Sequence, residues 1–230
     1  MTDKMEFNIT MSAEYDKGVR RTLPTYDSMF RLVQAYLRAN TEQHANILLV
    51  GAGGGNELTT FGPSNPGWTF TAVDPAPPML DIARMKAEDL KLTDRVDFIL
   101  GTIDNVDASN TYHAATCMLV LHFIVNVDEK LLLLKKIRQL LTSGAPFVLV
   151  SMYGDTSHPE FDELFALWKA YWLDTSDLTI VEVDEMEKTV RGLSFIPEEE
   201  ILHLLREAGF GKIAKFFTTN MFGGWICKAE

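Results

Sequence analysis

Four apolar residues, Ile47-Leu48-Leu49-Val50, run straight into Gly51-Ala52-Gly53-Gly54-Gly55, and no other stretch restricts the fold as much. An apolar run without alternation reads as a parallel strand buried on both faces. The glycines allow a sharp turn and keep side chains away from a ligand lying against the backbone. A short helical turn is predicted after Asn56, with its unpaired N–H groups facing the same crevice. Glycines at 51, 53 and 55 followed by Asn56 miss the dinucleotide-binding spacing. No Gly-Lys-Ser/Thr follows, so the run is not a P-loop. A tight glycine turn that holds nothing is the plain alternative.

The flanking chain alternates strand and helix patterns. Ser12 reads as the cap of an opening helical stretch that Pro24 interrupts, and Thr25 as the cap of a second helix over 26–39. That helix carries Tyr26, Met29, Phe30, Val33 and Leu37 on one face. The first strand is placed at 47–50 and a short helix at 56–61, stopped by Gly62-Pro63-Ser64-Asn65-Pro66-Gly67. A second strand over 68–73 ends at Asp74, and Pro75-Ala76-Pro77-Pro78 opens the next helix. Further strands are predicted at 96–100, 112–120 and 147–151, with a helix over 128–141. The rhythm breaks between 155 and 196. A helix rich in aromatics (Phe161, Phe165, Trp168, Tyr171, Trp172) is expected there, then a more acidic one near 182–191. A helix from Pro197 to Glu207 and strands at 213–218 and 225–228 finish the chain, with Phe222-Gly223-Gly224 before the last. The alternation implies an α/β domain with a mostly parallel sheet covered on both faces.

The bulk numbers remove several classes. A chain of 230 residues that is 47% hydrophobic suits one domain with a full core. A formal charge of -11 argues against a broad nucleic-acid-binding face, although a locally delivered tRNA stays open. Cys117 and Cys227 give no disulfide framework and sit in apolar runs, so both are expected as buried thiols. His113, His122, His158 and the cysteines lack metal-ligand spacing, so no metal is expected. Met1–Phe7 shows no signal-peptide core and no apolar run is long enough to span a membrane. The expectation is a soluble, cytoplasmic protein with no membrane partner.

The glycine loop together with Asp74 resembles the cofactor loop of class I S-adenosylmethionine-dependent methyltransferases, and the likeness extends over nearly the whole chain. Three phrases resemble a narrower branch, the bacterial wobble-uridine modifying enzymes that include carboxy-S-adenosylmethionine synthase. They are Val19-Arg20-Arg21-Thr22-Leu23-Pro24-Thr25-Tyr26, Leu119-Val120-Leu121-His122-Phe123 and Phe222-Gly223-Gly224-Trp225-Ile226-Cys227-Lys228-Ala229-Glu230. The resemblance implies a Rossmann-like fold of seven mostly parallel strands with an antiparallel last strand. It implies S-adenosylmethionine as cofactor, resting on Gly51, Ala52, Gly53 and Gly55. Asp74 would accept the ribose hydroxyls. Pro75 and Met79 would lie near adenine, although a helical Met is also ordinary core. Thr102, directly after Gly101, stands where the family has an acidic residue by the adenine amine, and Ile103 beside it is a further cofactor-binding candidate. Thr102 carries no charge, so either Asp104 compensates or backbone groups hold adenine. Leu119 would run beside the methionyl chain. An N-terminal helical cap over 12–40 would cover the methionine part with Tyr15, Arg20 and Tyr26, Arg20 pairing with its carboxylate or standing as a surface residue.

His122 is the ionisable residue in the Leu119–Phe123 run, readable as a base or as a packed structural histidine. The insertion over 155–196 is expected above the acceptor site, with Trp168, Tyr171, Trp172 and Arg191 as substrate-binding candidates. Aromatic faces suit a planar or apolar acceptor and Arg191 an anionic one. The same aromatics suit packing of the insertion onto the core, or a homodimer. The function implied is enzymatic methyl transfer to a small molecule. The alternatives are carboxy-S-adenosylmethionine synthase-like chemistry and a non-catalytic S-adenosylmethionine-binding protein. A nicotinamide dehydrogenase is opposed by Asn56 and by the chain's ending.

Overall fold

The computed structural model describes residue 16 and residues 18–230; Ser12 and Tyr15 lie outside the described residues. The apolar run at 47–50 is the inner part of β1 (Ala45–Val50). Around it stand β2 (Trp68–Asp74), β3 (Val96–Leu100), β4 (Ala114–Met118), β5 (Pro146–Met152), β6 (Phe210–Thr219) and β7 (Phe222–Ala229). They form one seven-stranded sheet in the order β3-β2-β1-β4-β5-β7-β6. β1 to β5 are parallel, and β7 is antiparallel to both β5 and β6. The order reverses between β1 and β4, and ligand crevices in open α/β sheets lie beyond the carboxyl ends of the strands at such a point.

The unbroken hydrophobicity of β1 has a direct cause. Ile47 and Leu49 enter one core while Leu48 and Val50 enter the other. The first core holds α1 (Tyr26–Asn40) and the later pair α5 (Pro159–Thr175) and α6 (Ile180–Arg191). The second holds α4 (Val127–Gln139) and α7 (Glu198–Glu207). Between them in sequence, α2 (Asn56–Phe61) and α3 (Pro77–Asp89) follow β1 and β2. The buried stripe of α1 is Tyr26, Met29, Phe30, Val33 and Leu37, the set its spacing predicts.

Several local expectations need correction. Thr25 makes no side-chain cap bond to α1; its hydroxyl lies 2.7 Å from that of Thr219. α3 begins at Pro77, because Ala76 is extended and its N–H is taken by the Asp74 carboxylate. β4 is shorter than 112–120. Tyr112 makes only an isolated bridge to Leu141, and Leu119 turns out of the strand at φ 60°. Phe222-Gly223-Gly224 lies inside β7, where a Cβ on Gly223 would fall 2.6 Å from the Trp225 ring. The insertion leaves and rejoins at one point, since Gly154 N–H donates to the Ile196 carbonyl at 2.9 Å. α6 starts at Ile180, two residues earlier than expected, under a reciprocal cap between Thr179 and Glu182. Among the described residues no helix is long and apolar enough to cross a membrane. Cys117 and Cys227 are buried free thiols.

Candidate functional site

A cavity of about 730 Å³ opens where β1 to β4 end, within the ~300–1,000 Å³ typical of small-molecule sites. One end is formed by Gly51–Gly54, Asp74–Pro77 and Gly101–Ile103. The other is formed by Met118–Val120, His122–Val125, Leu133 and Gly192–Ser194; Tyr26 and Phe30 enter the wall from α1, Tyr26 beside Asn56 at the glycine loop.

The glycines have separate reasons. Gly51 has φ 70°, and a Cβ there would lie 2.1 Å from the Val120 side chain. Gly53 has φ 49° with the Met79 methyl beneath it. Gly55 has φ 73°, and its missing Cβ makes room for Ala83 of α3 at 3.0 Å. Gly55 does not line the cavity; it seats a helix, and Gly54 stands in the wall instead. Asp74 is held from two sides. Gly53 N–H donates to Oδ2 and Ala76 N–H to Oδ1, both at 2.9 Å. Burial raises its pKa against the lowering effect of these two bonds. Each oxygen retains a lone pair for a further donor.

Ala52, Pro75, Met79, Thr102, Ile103 and Leu119 line the same cavity. The Thr102 side chain is spent locally, accepting from Asp104 N–H at 3.4 Å while Thr102 N–H donates to Asn105 Oδ1 at 2.9 Å. Asp104 pairs with Lys136 and does not reach the cavity, so it offers no substitute charge there. Tyr26 lines the cavity, and its hydroxyl accepts from Asn56 Nδ2 at 2.9 Å. Arg20 does not line it: Nε donates to Asp27 at 3.0 Å and the guanidinium lies 5.2 Å from the Tyr26 ring centroid.

At the far end, His122 is buried and lines the cavity. Ser151 Oγ gives its proton to the Met152 carbonyl at 2.8 Å, and Met152 N–H points at His122 Nδ1 at 3.2 Å. Nδ1 is therefore an acceptor, and the ring proton sits on Nε2. Burial, with Lys130 nearby, pushes the imidazole pKa down to about 3. Lys130 itself is fully buried in α4 and is lowered to about 8 by that burial. Its ammonium donates to the Leu121 carbonyl at 2.6 Å and the Ser194 carbonyl at 3.4 Å. Ser194 N–H donates to the His122 carbonyl at 2.9 Å and its hydroxyl to the Val125 carbonyl at 3.2 Å. The end of the insertion is thus tied to the turn after β4.

Trp168, Tyr171, Trp172 and Arg191 do not line the cavity, which corrects their expected place. Trp168 and Trp172 are core, 4.1 Å apart by centroid, and Trp168 Nε1 donates to the Thr22 carbonyl at 2.6 Å. Tyr171 packs half-buried against the same core. Arg191 bridges Glu187 at 2.8 Å and Asp162 at 2.9 Å over the Phe165 ring, clamping α6 to α5. The insertion reaches the cavity only through Gly192, Leu193 and Ser194, which carried no sequence signal. Glu57 also lines the cavity, and an acid two residues past a glycine loop is a readable sign of it. Among the described residues no cluster suits a metal ion.

Residues 48–147 match the family model described as a methyltransferase domain. No curated protein matches the chain in sequence. Among solved structures, the chain is similar to a candidate O-methyltransferase of Nostoc punctiforme at 17% identity and TM-score 0.67, covering 96% of this chain and 59% of that one. It is similar to a candidate methyltransferase of Haloferax volcanii, solved with a methyltransferase activator, at 15% identity and TM-score 0.66, covering 96% of each. It is also similar to PigF, solved with SAH, at 21% identity and TM-score 0.57, covering 81% of this chain and 50% of that one. The chain thus spans only 50–59% of two of these relatives. Its strand order is that of the Rossmann-like methyltransferase fold, and its residues 48–147 are similar to the methyltransferase domain that the family model describes.

Proposed function

We propose that the protein is an enzyme that transfers a methyl group from S-adenosylmethionine to an uncharged small molecule. The observation that carries this reading is Asp74, fixed by Gly53 and Ala76 beside the glycine loop, in a cavity whose other end is nearly all apolar. A pre-oriented carboxylate suits a vicinal diol, as in ribose. The cofactor, when bound, supplies an electrophilic methyl on a sulfonium. This chain's residues then have to position the acceptor and keep water out. Phe30, Val120, Phe123, Ile124, Leu133 and Leu193 supply that apolar wall.

The acceptor class follows from what the wall contains. Among the described residues no Lys or Arg lines the cavity, so nothing there complements an anionic acceptor. The same absence weighs against carboxy-S-adenosylmethionine synthase-like chemistry, which has to hold a second carboxylate beside the one in the cofactor's own amino-acid end. It leaves a tRNA backbone without a cationic partner among the described residues at this site too. His122 is not a base in this arrangement, because its free nitrogen already carries the proton. It is a fixed donor for an acceptor oxygen or nitrogen. The acceptor must then bring its own nucleophilicity, as an amine, thiol or acidic hydroxyl would.

Calorimetry with S-adenosylhomocysteine, followed by labelled-methyl transfer across a panel of neutral hydroxylated, amino and thiol compounds, tests the proposal. Binding in the micromolar range with transfer to some of the panel is expected. Failure to bind S-adenosylhomocysteine overturns the proposal, and binding without turnover turns it toward a non-catalytic binder. His122→Asn keeps a donor and His122→Phe does not, so the former should retain more transfer. A lost acid-side limb in the rate between pH 5 and 8 would restore the base.

A further inference from the structure

We propose that Glu57 is the carboxylate that receives the α-ammonium group of the cofactor's amino-acid end. This rests on the reading that the cavity holds S-adenosylmethionine. Glu57 follows the glycine loop on α2, is 4% exposed, and lines the cavity. Thr116 Oγ1, from the middle of β4, donates to Oε1 at 2.5 Å. Oε2 has no hydrogen-bond partner among the described residues. A buried carboxyl with half its acceptor capacity unused is costly unless a partner arrives.

Among the described residues the cavity supplies no cationic partner of its own. The other acid in its wall is Asp74, which faces the same loop and opposes ionisation of Glu57. The basic group near the glycine turn, Lys86, is bound to Asp16 and Asn56 and stays out of the wall. Burial and Asp74 together push the Glu57 pKa up to about 8 despite the Thr116 bond. Empty, the group is therefore a neutral acid at pH 7, and a cation would draw it to the charged form.

The cofactor carries two cations, and the choice between them follows from hydrogen bonding. A sulfonium has no N–H to give, whereas an ammonium has three donors and would satisfy Oε2. The apolar end at Val120 and Phe123 is unsuited to an amino-acid group, and Asp74 is matched to ribose. Glu57 is the other carboxyl in the wall, and it offers the ammonium a charged acceptor with an unused oxygen. On binding, the carboxyl O–H breaks, its electron pair stays on oxygen, and the proton passes to buffer.

The test compares two ligands. S-adenosylhomocysteine has the amino-acid end; 5′-methylthioadenosine keeps adenosine and a thioether without it. In wild-type protein at pH 7, calorimetry in buffers of different ionisation enthalpy should show release of up to about one proton with the first ligand and none with the second. Glu57→Gln keeps an acceptor for Thr116. It should weaken S-adenosylhomocysteine by about tenfold or more and leave 5′-methylthioadenosine within about twofold. Equal weakening of both ligands, or of neither, would overturn the assignment while leaving cofactor binding intact. Equal proton release with both ligands in the wild type would overturn it without any variant. If wild type binds neither ligand, the proposed function falls together with it.

Discussion

At the glycine-loop end of the cavity, the decisive bonds join neighbours across two adjacent strand ends: Gly53 to Asp74, and Asp74 to Ala76. At the other end they join segments far apart in the chain. Ser194 ties to His122 and Val125, and the buried ammonium of Lys130 holds Leu121 and Ser194 together. The first end is a product of backbone geometry close to β1 and should survive loosening of the outer helices. The second is complete only while the 155–196 insertion is docked, since Ser194 closes it. That difference predicts which perturbations reach which end.

The largest expected effect is Trp172→Ala. Trp172 is 1% exposed and packs on Trp168 along the buried face of α5. Removing a buried Trp of this kind typically loses about 3–5 kcal/mol. Chemical denaturation should show that loss, while S-adenosylhomocysteine affinity of the folded protein stays within about twofold. A loss of cofactor affinity without a loss of stability would return these aromatics to the site and dissolve the contrast between the two ends.

Stability against pH comes next, on the order of a few kcal/mol. His122 is lowered from 6.5 to about 3, so the unfolded chain binds the extra proton between those values and stability rises with pH there. Glu57 is raised from 4.5 to about 8, so the folded chain binds the extra proton and stability falls as pH rises through that window. The two slopes oppose each other between 4.5 and 6.5, the Glu57 fall runs without the His122 rise from 6.5 to 8, and above about 8 Lys130, lowered from 10.5, adds a rise of its own. Denaturant midpoints from pH 5 to 8.5 should therefore drop between 6.5 and 8 in wild type and lose that drop in Glu57→Gln. An unchanged drop in the variant would assign it elsewhere.

Asp74→Ala should follow, with S-adenosylhomocysteine affinity about tenfold or more weaker, as expected for a charge-assisted bond worth about 1.5–3 kcal/mol. Titration calorimetry on the folded variant checks it. Unchanged affinity would remove Asp74 from the donor end.

The same contrast explains what could be read from the chain. The junction Val50-Gly51 and the strand-end Asp74 are local patterns, and both mark the observed crevice. The α1 stripe was legible because its period is that of a helix. Trp168, Trp172 and Arg191 were conspicuous by residue type, yet type does not say which face of an inserted helix pair meets the core. Gly192, Leu193 and Ser194 reach the cavity through contacts across the fold, and nothing in their neighbours announces it. Gly55 fits the loop pattern for a reason other than the one inferred: it makes room for Ala83, away from any ligand.

The smallest effect is expected at Thr102, and it sharpens the account of the glycine-loop end. Its hydroxyl accepts from Asp104 N–H and its own N–H is held by Asn105, so both polar groups serve the turn over Ile103–Asn105. Thr102→Val removes the acceptor and keeps the shape. Loss of such a cap is worth about 1 kcal/mol, visible as a small shift in the denaturant midpoint. S-adenosylhomocysteine affinity should move less than about twofold, because a hydroxyl already engaged in a turn contributes little more to a ligand. A fivefold or greater loss with the turn intact would mean that the side chain leaves its cap to meet adenine. The donor end would then be built from side chains as well as backbone, and its independence from the rest of the chain would need to be argued again.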